Sequence, residues 1–437
     1  MKKNLFLIAV AALTSAVLAE AGGWEFTEVT AVQRWPWSRK VDIDFHARQT
    51  DGQVSRRRAA RVAVKLGDRT LAADQLQGAS ILGEGRHRIV WTPPEDGSFP
   101  SEIKNAAFTV SLAEDVPDVG YMTVDLASGA IDYKPLAFSN DVNVATYKTT
   151  HMAFRYIPST QAGEWRAQKG KATFRIGSDG KRTDLGITDG DRNREGVAEI
   201  ALTKAFFLGV FPMTRSQYAL LGGSVSTQDA VPVRNVTYDG LRGTDGTNDL
   251  GLCCFPATRN IGLDTPIGRL RLRTGRNFDF PTEAQWEYAA RAGSEEEYFA
   301  AAASRSAAET LLNEYGAYNA SAAVGTRKPN AWGLYDLIGC CCHQWTTTSP
   351  VLGSNGGPAK HADGVDPIGP APQMGAGPFR VCKGSHCNPG DAKARVGRLA
   401  YRFLQRSNCQ NGMLNGTSYN AEQSNTGCRL ALTLDVK

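Results

Sequence analysis

Pro329–Trp345, PNAWGLYDLIGCCCHQW, is the stretch whose reading decides the fold. Its first part, Asn330–Gly339, sets two aromatics and two glycines in a loop that leads toward a short strand. Glycine is needed where φ is positive or where backbones approach closely. Trp332 and Tyr335 can each bury a broad apolar face while a polar tip finds a partner. Three adjacent cysteines, Cys340–Cys342, then lead into His343, Gln344 and Trp345.

Working outward, two segments announce helices. Thr214 is followed three residues later by Gln217, and Thr282 by Gln285, each ahead of an apolar-periodic run. That pattern is a capping box, so both threonines are expected to cap. Gly222 and Gly293 are expected to stop the two helices. Glu283 falls in a first turn, where a carboxylate suits the helix dipole. Trp286, Ala289 and Ala290 fall on one face. Glu283 and Glu287 could be paired catalytic acids, but at helical spacing they read as structural.

Taken together these segments resemble the formylglycine-generating enzyme (sulfatase-modifying factor) family. PNAWGLYDLIG is similar to its N-x-[FWY]-G-L-Y-D-[ML]-x-G signature, and FPTEAQWEYAAR, Phe280–Arg291, to its [LF]-P-T-E-A-[EQ]-W-E-Y-A-A-R. Phe206–Tyr218, Pro232–Tyr238, Phe379–Cys387 and Gly427–Ala431 resemble further family motifs in the same order. A Gly-rich loop, Gly240 to Gly262, stands where the family has another helix. The resemblance covers roughly 150–437 and implies a C-type-lectin-like α+β fold. Such a fold has short strands, two helices and loops often held by calcium.

The resemblance also says what chemistry to look for. Active members oxidise a sulfatase cysteine to formylglycine with oxygen and a copper ion held by two cysteines; paired thiolates suit copper(I). That pair corresponds here to Pro389 and Ala394, which cannot ligate copper, so copper is not expected. Cys382 and Cys387 have the right spacing outside the family's register, with His386 between them; these three are the only candidates for a relocated metal-dependent oxidase site. A structural calcium site is implied through Asp336, the carbonyl of Gly339 and a glutamate where this chain has His343. Imidazole is a poor ligand for calcium, which takes oxygen. The expected remnant is therefore Asp336 and Gly339.

The remainder of the chain bounds the function. Its 437 residues suit two domains, and 42% apolar content with 45 Gly and 20 Pro fits a loop-rich globular protein. A formal charge of +5 with interspersed signs gives no nucleic-acid signature; Arg56–Arg58 and Arg61 read as a solvated strand or turn face. Residues 1–21 read as a signal peptide: Lys2 and Lys3, the apolar run Leu5–Ala19, and the small-x-small Ala19-Glu20-Ala21. That run is too short to span a membrane, so an exported protein is expected: periplasmic, at the cell surface or secreted. The nine cysteines all lie in the second half. Several read as small buried hydrophobes, a common role for free cysteine.

Residues 22–115 alternate apolar and polar with period two, as in VDIDF (Val41–Phe45), between turn signals, and read as a β-sandwich-like accessory domain. Trp35-Pro36-Trp37 reads as a strand-entry plug, with an exposed sugar platform as the alternative. Residues 116–149 read as a linker, with a short strand pattern at Tyr121–Leu126, to the second domain, 150–437. The function expected is binding of a protein or glycan by a catalytically divergent member of the fold. The alternatives are the relocated oxidase and a retroelement-diversified lectin-like display protein varying over 380–430.

Overall fold

The computed structural model describes residues 23–51, 57–103, 106–186, 195–243, 261–318, 321–339, 343–347, 351–352, 358–360, 364–368, 379–384, 397–406, 413–414, 417–418 and 426–434. The chain divides into two compact units. The first runs through Met122 and takes up the chain again over Gly129–Phe138; the second comprises Thr123–Ser128 and everything from Ser139 onward.

The first unit is built from β1 (Trp24–Gln33), β2 (Val41–Gln49), β3 (Ala59–Leu66), β4 (Arg69–Thr70), β5 (Leu76–Gln77), β6 (Ser80–Leu82), β7 (Gly85–Trp91) and β8 (Phe108–Val116). One sheet has the order β1-β2-β7-β5; the other places β3 between β4 and β6, with β8 also paired to β3. β2 shows the expected period, with Val41, Ile43, Phe45 and Ala47 buried and the residues between them not. Their inward face shares one core with Val62, Val64, Phe108 and Val110 of the second sheet, which makes the sandwich. Trp91 closes it edge-on against Phe99 at 4.8 Å and Phe108 at 6.0 Å.

Two expectations fail here. Arg58 is not solvated: it is buried, its Nε and Nη2 donate to Asp115 at 2.8 and 2.9 Å, and it pairs with Asp51. Trp35 and Trp37 plug nothing; they stand 39% and 90% exposed in the β1–β2 connection. The segment 116–149 carries β9 (Val119–Asp125) at the strand pattern read over Tyr121–Leu126, together with β10 (Ile131–Pro135) and the short α1 (Thr146–Thr149). β9 is an apolar run buried at its first six positions.

The second unit opens with β11 (His151–Ile157), α2 (Gly163–Lys169), β12 (Phe174–Ile176), β13 (Ala198–Ala201), β14 (Phe206–Gly209), α3 (Arg215–Leu220), α4 (Tyr238–Arg242), α5 (Pro266–Thr274), α6 (Glu283–Arg291) and α7 (Arg305–Tyr315). Short strands follow: β15 (His343–Trp345), β16 (Val351–Leu352), β17 (Pro358–Lys360), β18 (Gly364–Val365), β19 (Phe379–Lys383), β20 (Phe403–Arg406), β21 (Met413–Leu414), β22 (Thr417–Ser418), β23 (Thr426–Gly427) and β24 (Ala431–Thr433). β14 lies between β11 and β24, and β15 and β19 are the inner strands of the sheet β20-β19-β15-β23.

Both expected capping boxes form. The Thr214 hydroxyl accepts from Gln217 N at 3.2 Å while Gln217 Oε1 accepts from Thr214 N at 3.0 Å. Thr282 and Gln285 repeat this at 3.1 and 3.0 Å. More helices form than the two expected, and part of the supposed Gly-rich loop is α4, capped by Thr237 on Gly240 N at 2.8 Å. α6 ends on Ala292 in the left-handed region, one residue before Gly293. It is not amphipathic either, because every one of its residues is buried.

In the first unit, Arg61 donates to both oxygens of Asp132 at 2.8 Å, and Lys134 pairs with the same carboxylate. Burial alone would raise the Asp132 pKa, but these two cations outweigh it and hold the carboxyl below its ordinary value. A depressed carboxylate contributes stability above its unfolded pKa and loses it as pH falls through the folded one. Asp132→Asn should therefore lower stability near neutral pH by about 1 kcal/mol. That difference from wild type should shrink under acid, as measured by urea unfolding at several pH values below 5.

Candidate functional site

α6 is the element around which the second unit's polar interior is built. Glu287, with no exposure, accepts Gly177 N and Arg291 Nε on Oε1, both at 2.8 Å. Its Oε2 accepts from Lys383 Nζ at 2.8 Å. Glu283 accepts from Arg402 Nη2 at 2.9 Å. Lys383 is itself wholly buried on β19, its ammonium 5.7 Å from the centre of the Trp286 ring. Each carboxylate is enclosed by cations and N–H groups, as a buried acid requires. The structural reading of both glutamates is the one the geometry supports.

Gly177 completes this cluster through its backbone. Besides donating to Glu287, it accepts from Arg291 Nη2 at 2.8 Å. Its φ is +87°, and a Cβ there would lie 2.4 Å from Glu195 O. Only glycine fits.

The signature loop is tied to the same helix. Asn330 Nδ2 donates to Ala289 O and Ala290 O at 2.8 and 3.0 Å, satisfying carbonyls that the helix end leaves open. Its Oδ1 accepts from Trp332 N and Leu334 N. Trp332 meets Tyr288 edge-on at 5.1 Å, and Tyr335 lies 5.1 Å from Phe211. Gly333 and Gly339 both take positive φ, as their place in the loop requires. Gln344 then joins loop to tail. Its Oε1 accepts from Trp286 Nε1 at 2.8 Å and Arg429 Nε at 3.0 Å, and its Nε2 donates to Asp336 O at 3.0 Å. Arg429 also donates to Gly209 O, Val210 O, Tyr335 O and Asp336 O.

Residues 222–433 match the family described as the sulfatase-modifying factor enzyme 1-like domain. Residues 222–433 carry a sulfatase-modifying-factor-like domain. No curated protein matches the chain. Among solved structures, PvdO from Pseudomonas aeruginosa is similar at 16% identity, covering 64% of this chain and 94% of its own, with a TM-score of 0.41. Treponema denticola variable protein 1 is similar at 18% identity, covering 65% of this chain and 95% of its own, also at 0.41. At those scores the two structures add nothing to what the family match establishes.

Of the expected site residues, Cys382, Asp336 and Gly339 lie within the described part of the chain. Cys382 is wholly buried on β19, with Trp345 and Phe403 as its strand partners. Cys428, also buried, packs its sulfur 3.9 Å from that of Met213. Both act as the small buried hydrophobes expected. His386 and Cys387 lie outside the described residues, as do Pro389 and Ala394.

Asp336 is buried in the left-handed region at φ +54°. Its Oδ2 accepts from Gly325 N at 2.6 Å. The half-buried Lys148 faces it: burial lowers the Lys148 pKa, and attraction to Asp336 works against that. Calcium takes six to eight oxygens, and an ammonium beside its carboxylate repels it. Gly339 makes an isolated bridge to Ala317. The side chain of His343 and residues 340–342 lie outside the described part. Sequence reasoning missed Lys148 because it lies ahead of every family motif.

Removing one partner of a buried ion pair strands the other charge. Lys383→Met should cost roughly 3 kcal/mol, seen as a lower urea midpoint with an unchanged slope. A loss within about 0.5 kcal/mol would mean that the cluster does not hold the unit together.

Proposed function

We propose that this is an exported protein whose sulfatase-modifying factor domain binds a protein or glycan ligand instead of carrying out copper-dependent oxidation. The observation that carries this reading is the fate of the cysteine pair. The family's positions hold Pro389 and Ala394. Cys382, half of any relocated pair, is buried between β15 and β20, away from a solvent-borne substrate. Replacing two thiolates by an imino acid and a methyl group removes the soft-metal ligands themselves. The retained frame, in contrast, is fully packed and suits display of loops. Export rests on the Lys2-Lys3 start, the Leu5–Ala19 run and the Ala19–Ala21 site. Among the described residues no helix is long and apolar enough to cross a membrane.

The test is an assay with copper, oxygen and a thiol reductant on a peptide carrying a sulfatase-type cysteine. The expected result is no formylglycine above the level of a Cys382→Ala, Cys387→Ala double variant. Product above that level would replace this reading with the relocated oxidase through Cys382, His386 and Cys387.

A further inference from the structure

The β1–β2 connection presents two indoles to solvent on a tightly fastened turn. Trp37 is 90% exposed, Trp35 39%, and Val32 at the end of β1 54%. Tryptophan is among the most buried residue types on average, so a pair left outside a packed sandwich calls for a cause. The turn has little freedom to fold them away. Arg34 N donates to Lys40 O at 2.9 Å, and Ser38 N to Arg34 O at 3.0 Å. Gln33 Nε2 donates to Ser101 O at 2.9 Å and its Oε1 accepts from Ile103 N at 2.8 Å, fixing the base of the turn to a second loop. Arg39 Nη2 reaches Phe99 O at 3.2 Å. A surface ordered before binding loses less entropy on binding.

The polar surroundings say what kind of ligand fits. Arg34, which precedes Trp35, donates twice to Asp42, at 3.1 and 2.7 Å. Arg88 on the neighbouring strand donates twice to Asp44, at 2.6 and 2.7 Å. Arg48 pairs with Glu25, and Arg86 with Glu28. On this outer face each of these four arginines has an acidic partner. An anionic membrane or a strongly charged partner would be expected to meet a field of one sign. A chain of neutral sugars has apolar ring faces to lie on indoles and hydroxyls at its edges that both donate and accept, which is what the turn and the paired strip provide.

We propose that Trp35 and Trp37, with the paired strip behind them, form a binding platform for an uncharged polysaccharide, independent of the sulfatase-modifying factor domain. The test is electrophoresis of the full chain through gels containing soluble β-1,4-glucan, β-1,3-glucan, xylan or mannan. At least one should retard the protein. Trp37→Ala should weaken that retardation at least tenfold and Trp37→Phe much less. Leu272→Ala, at an apolar residue of the other unit that is 61% exposed, should leave it unchanged, with all variants melting at the wild-type temperature. Retardation by none of the four, or retardation undiminished in Trp37→Ala, overturns the proposal. So does Trp37-dependent binding to phosphatidylglycerol vesicles in place of the glycans, or a dimer in sedimentation that Trp37→Ala dissociates.

Discussion

The second unit depends on the Glu287 carboxylate being met from three separate parts of the chain. Gly177, Arg291 and Lys383 all donate to it in a dry interior. A carboxylate buried without such partners would cost far more than a folded domain's whole stability. The three donors arrive from a turn after β12, from α6 itself and from β19. The interaction therefore fixes register across the unit: a strand shifted by one residue would turn Lys383 to the wrong face. Gly177 sharpens the constraint, since its backbone both donates into the cluster and accepts from Arg291.

A second polar junction extends this order to the tail. Arg429 reaches its acceptors without an acidic partner in the bonds described above, satisfying its guanidinium with carbonyls and the Gln344 amide. The carbonyls of Gly209 and Val210 belong to the end of β14, and those of Tyr335 and Asp336 to the signature loop. One side chain thus ties three segments distant in sequence. Trp286 joins them through its indole N–H on Gln344 Oε1, so the junction also reaches α6.

What could be read from the sequence was local. The capping boxes at Thr214 and Thr282 involve residues three apart, and their side chains have few alternatives. The strand period of Val41–Phe45 is equally self-contained. The buried charges were legible only by half. Glu283 and Glu287 read as structural, but their partners Arg402 and Lys383 lie 119 and 96 residues further on. A lysine inside the apolar strand around Val381 was the available signal. Arg58 misled for the same reason: a run of arginines reads as solvated until Asp115, 57 residues away, is placed against it. The tryptophans at 35 and 37 misled in the opposite sense, because hydrophobicity predicts burial without saying whether a neighbour exists to bury against.

The departure from the family signature after Gly339 looks, in sequence, like the decay of a motif. In the folded chain Gln344 argues otherwise. Its amide satisfies an indole N–H, a guanidinium N–H and a backbone carbonyl in one buried spot. A half-satisfied polar group there would cost more than an apolar one, so a glutamine at this position is tolerable only with Arg429 and Trp286 positioned as they are. The scaffold's cohesion thus rests on Glu287, Asn330, Gln344 and Arg429, none of which is a soft-metal ligand. Loss of a copper pair from the segment after Gly384 would leave every one of these bonds in place. Fold and oxidation chemistry are in that sense separable in this chain, and the fold can persist in the service of a surface.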